Sequence, residues 1–277
     1  MVWYYAVRRC LGPGVLAVVT AIPVVLAAAD RPKGVKGLDR FNPENETVEL
    51  FAGMKAGQID VQLIPRDSKQ CRVLVENKTD KPLNVRLPEA FAGVPVLHQA
   101  FPPFPPMDDN RNSAPQNVGG GFPMMNNPGG NRALFNMPGG QMNQGNNFFN
   151  IPPERVGQLK LKTVCLEHGK PEPRAKIKYE IKPIEAACNK PGVRELCTML
   201  GRGEIGQRTA QVAAWHLANE MSWDALAGIR VKATIGTVPY FTWQELQAGK
   251  KVAERAVERA KQSQERSPSE QDSASRR

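Results

Sequence analysis

Histidine, cysteine and aromatic side chains are all scarce in this chain of 277 residues, which has three His, five Cys and only 6% Phe, Trp and Tyr together. With so few imidazoles and no second Cys/His cluster at ligand spacing, a protein-built metal site has little to draw on. No P-loop, G-x-S-x-G elbow or H-E-x-x-H segment occurs, and no carboxylate pair stands in a recognisable catalytic setting. The common signatures of phosphoryl transfer, serine hydrolysis and zinc proteolysis are therefore missing. The composition also excludes a multipass membrane protein, a collagen, a coiled coil and a disulfide miniprotein. These absences weigh against an enzyme and toward a protein that binds or supports.

What is present begins with a leader. Residues 1–29 place Arg8 and Arg9 ahead of the apolar stretch 15–29, with no acidic residue. Ala27 and Ala29 then occupy the small-residue positions of an A-x-A site, which predicts a secretory signal peptide cleaved before Asp30. An uncleaved anchor is the other reading, but the stretch is interrupted by Pro23 and falls short of the roughly 20 residues a spanning helix needs. Cys10 precedes the apolar run and so is not placed as a lipoprotein cysteine.

The chain carries 37 Lys+Arg against 27 Asp+Glu, and loss of Arg8 and Arg9 would leave an excess of eight positive charges. In the cytoplasm such an excess promotes nucleic-acid binding; outside it, the anionic partners are wall polymers, acidic polysaccharide or lipid head groups. A solvated basic surface without a specific partner is the plainer reading. Four cysteines follow the leader, Cys71, Cys165, Cys188 and Cys197, and an oxidising compartment allows disulfides among them.

After a polar lead-in at 30–46, apolar residues alternate at Ile59, Val61 and Leu63, at Cys71, Val73 and Val75, at Leu83, Val85 and Leu87, and again at Leu159, Leu161, Thr163 and Cys165. A period of two marks half-buried strands. Several short strands with polar turns predict an Ig-like antiparallel β-sandwich over 47–182. Cys71 and Cys165 share the apolar phase, so a Cys71–Cys165 disulfide is expected, leaving Cys188 and Cys197 to pair locally or stay reduced.

Most of the excess glycine and proline sits in residues 101–150, where 11 Asn, 8 Gly, 8 Pro, 6 Phe, 5 Met and 3 Gln dominate. Such a composition cannot bury enough surface to offset ordering entropy, so a disordered insertion at about 101–152 is expected. Its aromatic and thioether side chains, notably Phe101, Phe104, Met124, Met125, Phe148 and Phe149, are the expected contact points. Copper(I) binding by the methionines is a weaker alternative, since no histidine supports them.

From Pro191 the period changes. Val193, Leu196, Cys197 and Leu200 line one helical face, 204–219 is an Ala-rich second helix, and Ser222 caps a short third helix. A small three-helix domain over 183–240 is predicted, followed by a charged helix at 241–262 that opens on the capping box Thr242-Trp-Gln-Glu245, and a disordered tail at 263–277. Gly201-Arg-Gly-Glu-Ile-Gly206 matches a dinucleotide fingerprint in letters only. It follows a helix rather than a strand and reads as a turn.

Cys165-Leu-Glu-His168 spaces a thiol and an imidazole as a metal site or a hydrolytic nucleophile and base could, although a disulfide or buried thiol is the simpler use of Cys165. His216 on the Ala-rich helix reads as a packing residue.

Three blocks, 77–98 (NKTDKPLNVRLPEAFAGVPVLH), 163–174 (TVCLEHGKPEPR) and 210–223 (AQVAAWHLANEMSW), resemble an uncharacterised family of exported bacterial proteins of the planctomycete type. The resemblance implies an exported two-module protein and brings no known activity or catalytic residue. The expected protein is thus α+β and extracytoplasmic, needs no cofactor, and associates with a cell-envelope component or an extracellular protein. The rival reading is a metal protein or hydrolase built on Cys165 and His168.

Overall fold

The computed structural model describes residues 42–96, 114–123 and 148–274. The segment 1–29 expected as a leader, most of the expected lead-in, and Phe101, Phe104, Met124 and Met125 lie outside the described residues. In chain order the elements are β1 (Glu46–Glu49), α1 (Leu50–Lys55), β2 (Ile59–Pro65), β3 (Gln70–Asn77), β4 (Leu83–Arg86), β5 (Ala90–Pro95), β6 (Val118–Gly121), β7 (Phe148–Ile151), β8 (Val156–Cys165) and β9 (Tyr179–Lys182). A 3-10 turn (Ile184–Ala186) leads to α2 (Val193–Gly201), α3 (Gln207–Asn219), α4 (Trp223–Gly228), β10 (Arg230–Lys232), β11 (Thr237–Pro239) and α5 (Trp243–Ala274). The α+β class expected from the sequence is the class observed.

The strand phases hold: Ile59, Val61, Leu63, Cys71, Val73, Val75, Leu159 and Leu161 all point into one core. The architecture differs from the expected sandwich. Six strands close into an antiparallel barrel in the order β2-β3-β8-β6-β5-β9, while β1, β4 and β7 form a separate mixed sheet. The cause is the long strand β8. Its first residues, Val156 to Lys162, pair with β3, and its last, Thr163 to Cys165, pair with β6, so one strand spans two neighbours and bends the sheet around. Leu63 opposite Tyr179 closes the ring between β2 and β9. Leu83, Val85, Phe149 and Ile151 of the smaller sheet add to the same core.

The expected single insertion at 101–152 needs correction, because two strands lie inside it. Val118-Gly-Gly-Gly121 is a barrel strand buried on both faces, and Phe148–Ile151 pairs with β4. Three consecutive glycines carry no periodic pattern, yet here they serve close packing: a Cβ on Gly121 would lie 2.1 Å from the Cys197 carbonyl oxygen of α2.

The helices pack directly on the barrel. Val193, Leu196, Cys197, Leu200, Ala210, Ala213 and Ala214 form a second core with Ala90, Ala92, Val164 and Leu166, residues of β5 and of β8 with its continuation. The G-x-G-x-x-G stretch is the turn from α2 to α3. Thr242 and Glu245 form the reciprocal capping box, the Thr242 N–H donating to Glu245 Oε2 at 2.9 Å and the Glu245 N–H to Thr242 Oγ1 at 3.2 Å. The helix that follows runs on to Ala274, so the segment after 263 expected as a disordered tail is helical to that point. No helix among the described residues is long and apolar enough to cross a membrane.

Candidate interaction surface

The four cysteines among the described residues are free thiols. Cys71 stands opposite Leu161 in the β3–β8 register. Cys165 lies four residues further along the strand, about 13 Å at ~3.3 Å per residue, whereas a disulfide needs Cα atoms within roughly 7 Å. The shared apolar phase was correct and the register forbids the bond. Burial pushes the Cys71 thiol up to about 12 and holds the thiols of Cys165 and Cys197 higher still, in Cys165 with help from Glu172, Asp67 and Glu167. Such thiols stay protonated and are poor nucleophiles.

Cys165 and His168 occupy unlike surroundings. At the end of β8, where the ladder runs out, the Gln211 side chain of α3 replaces a strand. Its Oε1 accepts from the Cys165 N–H and its Nε2 donates to the Cys165 carbonyl, both at 2.9 Å. The thiol is buried, whereas His168 is exposed in the turn beyond, its ring edge-on to Trp215 at 4.6 Å. Among the described residues no three His, Cys, Asp or Glu side chains converge as metal ligands. His216 stacks on Trp223 at 4.1 Å, and its Nδ1 lies 2.8 Å from the Met221 carbonyl, which can only accept, so the proton sits on Nδ1.

Two of the expected contact residues lie among the described ones, and Phe149 is structural instead. Phe149 is fully buried in the core, and Phe148 lies half-buried beneath the Arg86 guanidinium at 5.9 Å. An open groove of about 710 Å³ between α2 and α5 is lined by charges that meet one another: Arg202 bonds Glu89 at 3.0 Å and Arg194 bonds Glu185 at 2.8 Å.

The distinctive surface is elsewhere. β10 and β11 form a two-stranded hairpin in which every strand residue is exposed. The Ala233 N–H donates to the Gly236 carbonyl at 3.0 Å, and Gly236 takes the left-handed conformation (φ 73°) that lets the chain re-enter β11. Val231 pairs with Val238 across the ladder. Among the described residues the exposed large apolar side chains are Val231 (37%), Ile235 (91%), Val238 (43%) and Trp243 (71%), all from this hairpin and the first residue of α5. Between Ala225 and Gln244 the chain has no acidic residue, and Arg230 and Lys232 are its only charges.

A rigid footing holds this hairpin. The Tyr240 N–H donates to the Ile229 carbonyl at 2.9 Å and closes its base. Tyr240 stacks on Trp215 at 5.6 Å and meets Phe241 edge-on at 4.7 Å. Arg208 lies over both rings at 4.8 and 5.2 Å, bonds both Glu245 oxygens at 2.9 and 3.1 Å, and also donates to the Tyr240 carbonyl. The Arg208 hydrogen bonds hold Glu245 below the usual carboxylate range, with the Thr242 bonds assisting.

Arg208→Ala is expected to lower unfolding free energy by about 1–2 kcal/mol at pH 7, a modest figure because part of the pair faces water. A depressed carboxylate stabilises the fold above its unfolded-state value, and that share is lost as pH falls through the lower folded-state value. Urea titrations at neutral and strongly acidic pH should therefore show the gap between parent and variant shrinking in acid, and a pH-independent gap would assign the loss to packing alone.

Comparison with protein-family models, with curated proteins and with solved structures finds no match for this chain.

Proposed function

We infer that the chain is an extracytoplasmic binding or structural module without catalytic chemistry of its own, which holds a cell-envelope component or an extracellular partner through the β10–β11 hairpin and Trp243. The observation that carries this reading is the gathering of exposed large apolar side chains between Val231 and Trp243. Single exposed apolar residues are ordinary, but several on one short stretch of chain, two of them paired across a ladder, favour a contact surface. The N-terminal leader pattern and the resemblance to exported planctomycete-type proteins support the compartment, and the basic balance suits an anionic partner. The protonated, buried state of Cys165 supports the non-enzymatic part.

Retention of the full chain on washed envelope fractions is the test, with the Ile235→Asp/Trp243→Ala variant beside it. Both proteins share the same N-terminal residues, so their difference reports the hairpin. Retention is expected to fall at least about tenfold, since burying either side chain is worth more than 1.4 kcal/mol. Equal retention overturns the reading.

A further inference from the structure

We propose that the hairpin and Trp243 dock on an anionic phospholipid bilayer, with Ile235 entering the boundary between head groups and acyl chains and with Arg230 and Lys232 on the phosphates. This rests on the reading of the hairpin as the contact surface and names its partner. Ile235, the most exposed of the large apolar side chains among the described residues, stands in the turn at the hairpin's tip. Strands of three residues span about 10 Å, which matches the depth to which interfacial segments bury their apolar face.

Charge favours lipid in the same way. Arg230 and Lys232 flank Val231, no carboxylate lies between Ala225 and Gln244, and on the Trp243 face of α5 the first charge is Lys250, with Glu254 one turn further from the hairpin. Trp243, at the foot of the hairpin, has an amphipathic ring of the kind enriched at head-group level. A protein partner is less well served. Strand addition needs a longer ladder than three residues ending in Pro239 can offer, and a hairpin tip with one indole is small beside the 1,200 Å² or more of a standard interface. A membrane needs only a few apolar side chains together with basic charge.

The probe is a titration of the full chain with phosphatidylglycerol/phosphatidylcholine vesicles and with pure phosphatidylcholine vesicles, followed by tryptophan fluorescence. Subtracting the Trp243→Phe spectrum isolates Trp243 from the other three tryptophans. A shift to shorter wavelength with the anionic vesicles is expected, lost in Ile235→Asp. The half-saturating lipid concentration should rise about thirty-fold in Arg230→Gln/Lys232→Gln. No shift on the anionic vesicles, or an equal shift on neutral vesicles that ignores both charges, overturns the proposal. If envelope retention nevertheless depends on Ile235 and Trp243, the contact surface stands and its partner is a protein; if it does not, both readings fall together.

Discussion

Gly121→Ala is expected to cost at least about 3 kcal/mol, the upper end of what overpacking usually does. The added methyl carbon would sit 2.1 Å from the Cys197 carbonyl oxygen and 2.9 Å from its carbon, both backbone atoms of α2. No rotamer change relieves such a contact, so the helix must lift from the strand. The mirror contact is as tight: a Cβ on Gly201 would meet the Gly121 carbonyl carbon at 2.4 Å. Lifting α2 would loosen Leu196, Cys197, Met199 and Leu200, all buried in the second core. Gly228→Ala is the control, since nothing lies within 4 Å of its Cβ and its backbone is not left-handed. Urea unfolding should show Gly228→Ala at or slightly above the parent and Gly121→Ala far below it. A Gly121→Ala protein within 1 kcal/mol of the parent would mean that α2 does not rest on β6 as closely as described.

That contact also explains what the sequence could and could not disclose. Alternation at Ile59–Val61–Leu63 and at Leu159–Leu161 reveals strands because each buries one face and leaves the other in water. The stripe at Val193, Leu196, Cys197 and Leu200 reveals α2 for the corresponding reason. β6 buries both faces with almost no side chains: Gly119 and Gly121 turn toward α2, while Gly120 turns toward Phe91. Its residues therefore look like loop. Barrel closure was hidden because alternation reports a buried face and not the partner strand, and the same gap allowed a Cys71–Cys165 pairing that the register places four residues out of reach. The hairpin shows no period because two three-residue strands are too short for one to emerge, and Gly236 is the sole turn former in the loop between them. The binding surface expected in the Phe/Met tract moves, for Phe149, into the core.

Deletion of residues 101–150 is expected to abolish cooperative folding, where the composition of the tract alone would predict little effect. The deletion removes β6 entirely and all of β7 except Ile151. β5 and the end of β8 then lose the strand that joins them, opening the barrel. Val118, Phe122 and Phe149, each fully buried, leave with it. Truncating one buried Phe to Ala costs about 3–5 kcal/mol, so losing two of them with Val118 and a barrel strand matches the ~5–15 kcal/mol that holds an ordinary domain together. Replacing residues 124–147 by a Gly/Ser segment of equal length is the matched comparison. It keeps every strand and changes neither loop length nor closure entropy, so the thermal transition should survive within a few degrees. A sharp melt with intact near-ultraviolet circular dichroism in the full deletion would show that the barrel closes without β6. The replacement protein also tests Met124 and Met125 as contact points, because it lacks both while keeping Phe101, Phe104, Ile235 and Trp243. Undiminished envelope retention by that protein is expected, and its loss would return the contact surface to the tract.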